Sequence, residues 1–599
     1  MAQPAALPSL DSLVGVDAKM EALAKLEALS EEIDSELARR KSNGFLRRAI
    51  KAWRRGDIVR AGQLALDATS ADETHSKAFH VLAMALERMG HLHKALVTYE
   101  RAFELDPTDP ELLINLGLTA WNQKLTAGAE RMFRHYIDAC PDSPLGYNNL
   151  GSVQSDMGQP DVAMETLRHA IYRMPDQSIL WNSLATVLAE EGRADESLVF
   201  YEEAVRLDPA YPRPYHNLGY AYQHLGMLPE ALKAYDNALE RITDPAEKLE
   251  SAHSRAICLI GMGRLPECWS EYEVRNKERF RAYLHHIVEA PMWKGEDLSG
   301  KRLLIVGEQG LGDEFMFANI LPDLQRAVGE TGKLQIAVDP RLVPLVQRSF
   351  PKAEVGAYDD RMLLDRDGNK DLRVIKFAEG ANKPDVWAPM GTALQYYRKS
   401  LSEFPHQAFL TPDEERVKKY RAELEKLGPG PFVGICWRSM MLAAKRAKYY
   451  SPLDMWGPIL KTPGVTFVNL QYGDASGDIS RVKGTFGVDI HVIDGLDLKA
   501  DLDGGAALSA ALDLVISAPT AAAAAAGAVG TETWFITAGR TWPQLGTDEY
   551  PWYRAGYVFS PEKFGDWNSL MPRVAQSLGE FAERNSAKHP LYAGADSWE

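Results

Sequence analysis

The stretch PLGYNNLGSVQSDMGQPDVAMETLRHAIYRMP, Pro144 to Pro175, decides the fold, because its pattern returns along the chain every 34 residues. That period superimposes Ala49, Ala83, Gly117, Gly151, Ala185 and Gly219, all of them small. Twelve residues beyond the last five stand Ala95, Ala129, Ala163, Ser197 and Ala231; twenty-four beyond four of them stand Pro107, Pro141, Pro175 and Pro209. Small residues at two fixed places predict antiparallel helices in close contact, and the proline stops the second helix because it cannot continue the hydrogen-bond ladder. A further copy, SAHSRAICLIGMGRLPECWSEYE from Ser251, is displaced by three residues, with DPAEKLE as the insertion, and the array ends near residue 280. Stacked helix pairs of this kind make an α solenoid, here residues 42–280, whose first helices line a groove suited to an extended peptide or a partner helix.

The spacing resembles the tetratricopeptide repeat (TPR), whose superhelix implies a protein partner. Two positions before the small residue lie Asn115, Asn149 and Asn217, with Ser183 in the remaining copy. A side-chain amide donates and accepts at once, so a ladder of them could grip an acceptor peptide backbone; equally, these side chains could join neighbouring helices. Upstream, residues 1–41 carry Val16, Met20, Leu23, Leu26, Leu29, Ile33 and Leu37 at helical spacing. That stripe reads as a cap on the solenoid or as a helix that pairs with another protein.

The chain has 599 residues, 45% hydrophobic and 25% charged, which is the balance of a folded protein of more than one domain. Its formal net charge of -16 argues against nucleic acid as a partner. Cys140, Cys258, Cys268 and Cys436 lack metal-ligand spacing and suit a reducing compartment. The N-terminal sequence lacks a secretory pattern, and no stretch stays apolar long enough for a membrane span. A cytoplasmic location is the expectation.

Near residue 281 the period stops. After a linker, 281–300, the runs Arg302 to Val306, Leu334 to Val338, Phe432 to Trp437, Thr466 to Gln471, Asp513 to Ser517 and Thr533 to Thr537 read as buried strands, separated mostly by helix-length segments. Alternation of this kind predicts doubly wound parallel sheets with ligands at the carboxyl ends of the strands. The Gly/Pro-rich EKLGPGPFVGI divides this half into two Rossmann-like lobes, 301–428 and 429–580, followed by a tail, 581–599. A cleft between two such lobes suits a nucleotide-sugar.

The motifs GEQGLGDE (Gly307 to Glu314), VGICWRS (Val433 to Ser439) and LDLVISAPT (Leu512 to Thr520) resemble those of two-lobed GT-B glycosyltransferases related to the O-linked N-acetylglucosamine transferases and heptosyltransferases. Repeats followed by this half look most like bacterial enzymes that glycosylate flagellin in the cytoplasm before export. The resemblance implies flagellin as acceptor, held by the repeats, and a CMP-activated nonulosonic acid such as pseudaminic acid as donor, with no cofactor. The donor-synthesising enzyme or an export chaperone are further partners to consider.

Such a transferase needs a base near the acceptor hydroxyl and positive or amide groups at the departing phosphate. Asp313 stands where the heptosyltransferases have their catalytic base, with Glu308 and Glu314 in reserve; the alternative is that Asp313 serves its helix N-terminus. Gly310 and Gly312 allow close ligand approach. Arg438, Lys445 and Lys448 are candidate phosphate ligands, beside Arg446 in the same basic loop, and Gln471 and Tyr472 follow the next strand, where the family contacts its nucleotide. Thr520 is a favoured N-cap for a helix through Ala521 and the rest of a six-alanine run, whose free amides can meet a phosphate. Asp501 and Asp503 match a bare metal-binding Asp-x-Asp but read as loop and capping residues, so metal independence is expected. Where relatives read Asp-Thr and a histidine four residues on, this chain has Pro519, Thr520 and Ala524. That departure suits an acidic CMP-linked sugar; it also leaves open a UDP-sugar enzyme, or a TPR scaffold or chaperone with a degenerate transferase half.

Overall fold

The computed structural model describes residues 10–365, 368–439 and 447–586. Its contacts gather into two units, residues 1–175 with 364–369, and residues 176–363 with 370–599.

The first unit is a run of helices, Leu10–Arg54, Ile58–Ala71, Ser76–Arg88, Leu92–Leu105, Pro110–Asn122, Thr126–Ala139, Pro144–Asp156 and Pro160–Arg173. The predicted small positions sit where the paired helices touch: a Cβ on Gly117 would stand 2.5 Å from the Phe133 ring, and one on Gly151 would stand 2.8 Å from Leu167. The second helices end at Leu105, Ala139 and Arg173, two residues before Pro107, Pro141 and Pro175. Two expectations change at the N-terminus. The boundary at residues 41 and 42 falls inside one continuous helix, Leu10–Arg54, which runs on through Ser42, Asn43 and Gly44. Of the apolar stripe, Met20, Leu29, Ile33 and Leu37 are all at least half exposed, so the solenoid does not cover these four.

The second unit begins with the last helix pairs, Ser178–Glu190 with Ala194–Leu207, Pro212–His224 with Leu228–Arg241, and Pro245–Gly261 with Leu265–Tyr272. Thirteen strands follow among the described residues: β1 (His285–Ile287), β2 (Arg302–Val306), β3 (Lys333–Val338), β4 (Glu354–Ala357), β5 (Asp359–Asp365), β6 (Gly368–Val374), β7 (Val386–Pro389), β8 (Phe432–Cys436), β9 (Thr466–Asn469), β10 (Ile490–His491), β11 (Leu514–Ser517), β12 (Thr533–Ile536) and β13 (Gly556–Phe559). They form a sheet in the order β4-β3-β2-β7, a sheet in the order β10-β9-β8-β11-β12-β13, and a small sheet β1-β6-β5. Every pairing in the two larger sheets is parallel. Burial on both faces explains why their central strands read as unbroken apolar runs. The small sheet escapes that reading because DDRMLLD and GNKDLRV are rich in charge. The last helix, Trp567–Ser586, packs Leu570, Val574 and Leu578 into the core of the second lobe, so that lobe extends beyond residue 580.

Topology fixes where a ligand can sit. In the first large sheet the chain runs outward from β2 to β4 and returns to the other side at β7; in the second, it runs from β8 to β10 and returns at β11. Loops leaving the carboxyl ends of β2, β8 and β11 therefore diverge at the switch points, and a crevice opens there.

The close approach inside each helix pair sets the first testable consequence. A Cβ on Gly219 would lie 2.7 Å from the Tyr235 ring, so Gly219→Val should cost about 1–3 kcal/mol by overpacking. Chemical denaturation followed by circular dichroism should show the lower midpoint, and an unchanged midpoint would contradict the packing.

Candidate functional site

The loop after β2 is held from both flanks by buried charge. Glu308 accepts from Arg275 through Nε at 2.9 Å and Nη2 at 3.0 Å, and also from the Gly391 amide. Glu314 accepts from the Tyr358 hydroxyl and, at 3.1 Å, from the Asp339 amide, with Arg373 at 3.6 Å. Arg373 in turn donates to the Gly307 carbonyl. A buried carboxylate needs such partners, and here they fix the backbone between them. Gln309 takes the left-handed conformation, φ 60°, and donates to the Tyr272 hydroxyl at 2.6 Å. A non-glycine residue rarely holds that geometry unless its surroundings impose it.

Asp313 lies between these clamps. Its side chain accepts from the Gly310 amide at 3.3 Å at the start of the short helix Leu311–Phe317. Burial, with the nearby Glu308 charge adding to it, pushes its carboxyl up to about 6. Both readings of Asp313 thus meet in one side chain: it serves the helix N-terminus and also lines a cavity.

That cavity, about 620 Å³, stands at the switch points and draws walls from both lobes. Gly310, Gly312 and Asp313 face Thr520 and Ala521, and a Cβ on Gly312 would stand 3.9 Å from the Ala521 amide nitrogen. Thr520 caps the helix Ala521–Ala528 by accepting from the Ala523 amide. The alanine run is thus a buried helix whose amino end points at the loop that bears Asp313. Pro519 and Ala524 line the same space, so the departures from the resembled pattern lie in the cavity wall. Behind them Phe535 stacks on Tyr550 at 4.1 Å between ring centroids, giving that wall an aromatic face. Among the described residues Asp313 is the one carboxylate lining the cavity, and Arg341 and Lys499 are its cations. Arg341 is held by Asp339 at 2.9 Å and donates to the Lys499 carbonyl at 2.9 Å.

Several candidates sit elsewhere. Glu308 and Glu314 are committed to the buried networks and do not line this cavity. Arg438 pairs with Asp478 at 2.9 Å and is turned from the cavity, to which its neighbour Ser439 contributes. Gln471 is buried; its Oε1 accepts from the Trp437 and Arg438 amides, fixing the end of β8. Tyr472 lines this cavity and a second one of about 420 Å³, and Leu498 and Lys499 are also shared between them. Lys448 donates to the Ala189 carbonyl at 3.0 Å. Lys445 and Arg446 lie outside the described residues. Asp501 caps the helix Leu502–Ala511, and Asp503 pairs with Arg348 at 2.8 Å. In the repeats, Asn115 bonds His80 at 2.9 Å and Asn217 donates to Asn182 at 2.9 Å, which is the reading that joins neighbouring helices. Ser183 donates within its own helix, to Ile179. Asn149 is buried with its Nδ2 unpartnered, because Ile114 stands where the other copies offer a polar side chain.

Sequence reading missed Arg341 and Lys499. Arg341 had a signal, since Asp339-Pro340-Arg341 directly follows the strand Leu334 to Val338. Lys499 had none, because it follows the two-residue β10.

The fold and this cavity define a tetratricopeptide-repeat protein carrying two parallel α/β lobes. Tetratricopeptide repeat models match residues 76–119, 146–177 and 212–244, and a TPR repeat model matches 185–226. Repeats of this class imply a protein partner. The chain is 40% identical over 543 residues to Protein FlbA of Caulobacter vibrioides, covering 90% of each chain, and it belongs to that protein's family. Among solved structures it is similar to a tetratricopeptide repeat protein from Parabacteroides merdae, at 16% identity and TM-score 0.32 over 40% of this chain and 96% of that one. It is also similar to a thermophilic TPR protein of Thermus thermophilus, at 24% identity and TM-score 0.27 over 30% of this chain and 98% of that one. No described helix is long and apolar enough to cross a membrane.

The raised carboxyl of Asp313 has a measurable cost. Unfolded, it titrates near 3.8, and folded it titrates near 6. Between these values the folded chain keeps a proton that the unfolded chain has released, so stability falls as pH rises through the window. The total is at most about 3 kcal/mol. Asp313→Asn should therefore raise the denaturation midpoint at pH 7.5 and leave it nearly unchanged near pH 4. A variant less stable than the parent at pH 7.5 would show that the carboxylate serves packing.

Proposed function

We propose that the chain is a metal-independent protein O-glycosyltransferase of GT-B type, which binds flagellin through its repeats and transfers a nonulosonic acid, such as pseudaminic acid, from a CMP-activated donor to Ser or Thr in the cytoplasm before export. The observation that carries this reading is that Asp313 shares one cavity, at the switch points of two parallel sheets, with the amino end of the helix Ala521–Ala528. In the reaction the acceptor hydroxyl gives its proton to Asp313 as its oxygen bonds to the anomeric carbon. The bond from that carbon to the phosphate oxygen breaks, and CMP leaves with the electron pair. A carboxyl near 6 is mostly ionised at neutral pH and still basic enough to take the proton. Free amides at the helix start, with Arg341 and Lys499, stabilise the departing phosphate. The 420 Å³ cavity beyond Tyr472 has room for the nucleobase.

Two features favour an acidic donor over a UDP-sugar. The cavity is lined by Lys499 and by Arg341, which Asp339 shares, against one carboxylate, and a second carboxylate at position 519, which would repel an acidic sugar, is replaced by Pro519. The aromatic wall at Phe535 and Tyr550 suits the methyl groups of a deoxy, N-acylated sugar.

The test is to mix purified protein with flagellin and either CMP-pseudaminic acid or UDP-N-acetylglucosamine, and to read intact flagellin mass. Mass gain from the CMP donor, lost at least 100-fold in Asp313→Asn and reduced at least tenfold in Arg341→Ala, is expected. Gain from the UDP donor alone would move the donor assignment. Absence of transfer from both, with flagellin still bound, would identify a scaffold.

A further inference from the structure

A third cavity, about 760 Å³, is lined by the first residues of the clamped loop. It and the donor cavity are one residue apart along the chain: Glu308 and Gln309 line the third cavity, and Gly310 lines the donor cavity. Its remaining walls come from the end of the repeat array and from the small sheet β1-β6-β5, through His253, Asn276, Ala282, His286 and Met362 among others.

We propose that this cavity takes the peptide of the acceptor protein next to the reacting Ser or Thr, an inference that rests on the transferase reading. Three observations carry it. The first is an unanswered polar group: the Nε2 of His286 is buried without a hydrogen-bond partner, while Trp387 braces the ring at 5.1 Å between centroids. Native interiors seldom leave such an atom unpaired, and a peptide amide or carbonyl is the right size and polarity to pair with it. Burial keeps that imidazole neutral, with its titration lowered to about 4, so it offers a neutral hydrogen bond.

The second is the charge balance. Arg275 is answered by Glu308 and Glu273, Arg373 by Asp360, and Arg361 by Asp359 at 2.9 Å. Among the described lining residues the three arginines stand against three carboxylates, Glu308, Asp360 and Asp371, a balance that suits an uncharged peptide backbone. Phe280, Leu284 and Met362 supply apolar surface beside the polar groups, a mixture suited to alternating peptide backbone and side chains.

The third is the approach. Asn182, His216 and His253 occupy the same place on successive first helices, three positions before Ala185, Gly219 and Ala256. The first two are tied to the next helix by Asn217 and Ser251, and the row ends at His253 in the cavity wall, stacked on Tyr272. Asn182 is buried and the row is spent on contacts between helices, so it does not itself grip peptide, but it brings the first helices of the repeats up to the wall of this cavity.

The test uses full-length protein and flagellin. Hydrogen exchange should slow on flagellin binding at residues 280–287 and 371–375. Ala282→Trp, at an exposed position on the rim, should raise the KM for flagellin at least tenfold, with CMP affinity by calorimetry unchanged within twofold. His286→Leu should raise the same KM. Flagellin bound without protection of these residues, or Ala282→Trp with parental KM, would overturn the proposal. Protection without any transfer would sustain the peptide site while refuting the transferase, so the two failures are distinguishable.

Discussion

Three carboxylates enter the first lobe within seven residues, and their unequal treatment organises the site. Glu308 meets Arg275, and Glu314 meets Tyr358 and Arg373, partners that hold each in place although burial still pushes the Glu314 carboxyl up to about 7. Asp313 has only a backbone amide, and it alone of the three lines the donor cavity. Leaving a carboxylate with so little compensation is expensive, and such expense is characteristic of groups that must change protonation state. The two partnered neighbours make the third possible, because their hydrogen bonds hold the loop in one shape. The left-handed Gln309 between them marks how firmly that shape is imposed.

Against this loop stands a helix of almost featureless sequence. Alanine lets the segment Ala521–Ala528 pack deep in the protein, and no side chain at its first turn competes for the space before its amides. A cavity lined by helix-start amides, two cations and one raised carboxyl holds the charges that a group transfer from phosphate to hydroxyl requires. In the proposed reaction the repeats supply the protein substrate, and the last of the array's first helices brings His253 to the wall of the third cavity.

Much of this was legible in the sequence. The 34-residue period is readable because helices that touch at Gly117, Gly151 and Gly219 leave no room for a side chain. Strands β2, β3, β8, β9, β11 and β12 are readable because both of their faces are buried; β1, β5 and β6 carry polar residues and β10 has two residues, too few for any pattern. Asp313, Gly310, Gly312, Thr520, Ala521 and Tyr472 follow from motifs at strand ends and do line the cavity. Glu308 and Glu314, the reserves for Asp313, and Arg438 were also candidates, but whether a charge is free depends on partners far along the chain, here Arg275, Arg373 and Asp478, which no local pattern reveals. Asn115 and Asn217 show the same limit, for the amides that suit a peptide also suit the next helix.

The central claim is that the uncompensated Asp313 is the group that receives the acceptor's proton. The most direct measurement is the pH dependence of kcat/KM for flagellin between pH 4.5 and 8 with the CMP donor saturating. A rise centred near pH 6, the value to which burial lifts Asp313, rather than near 7, the value to which burial lifts the neighbouring Glu314 outside the cavity, is expected, with a plateau above it. A profile flat across pH 6, or one that falls as pH rises through it, would contradict that role.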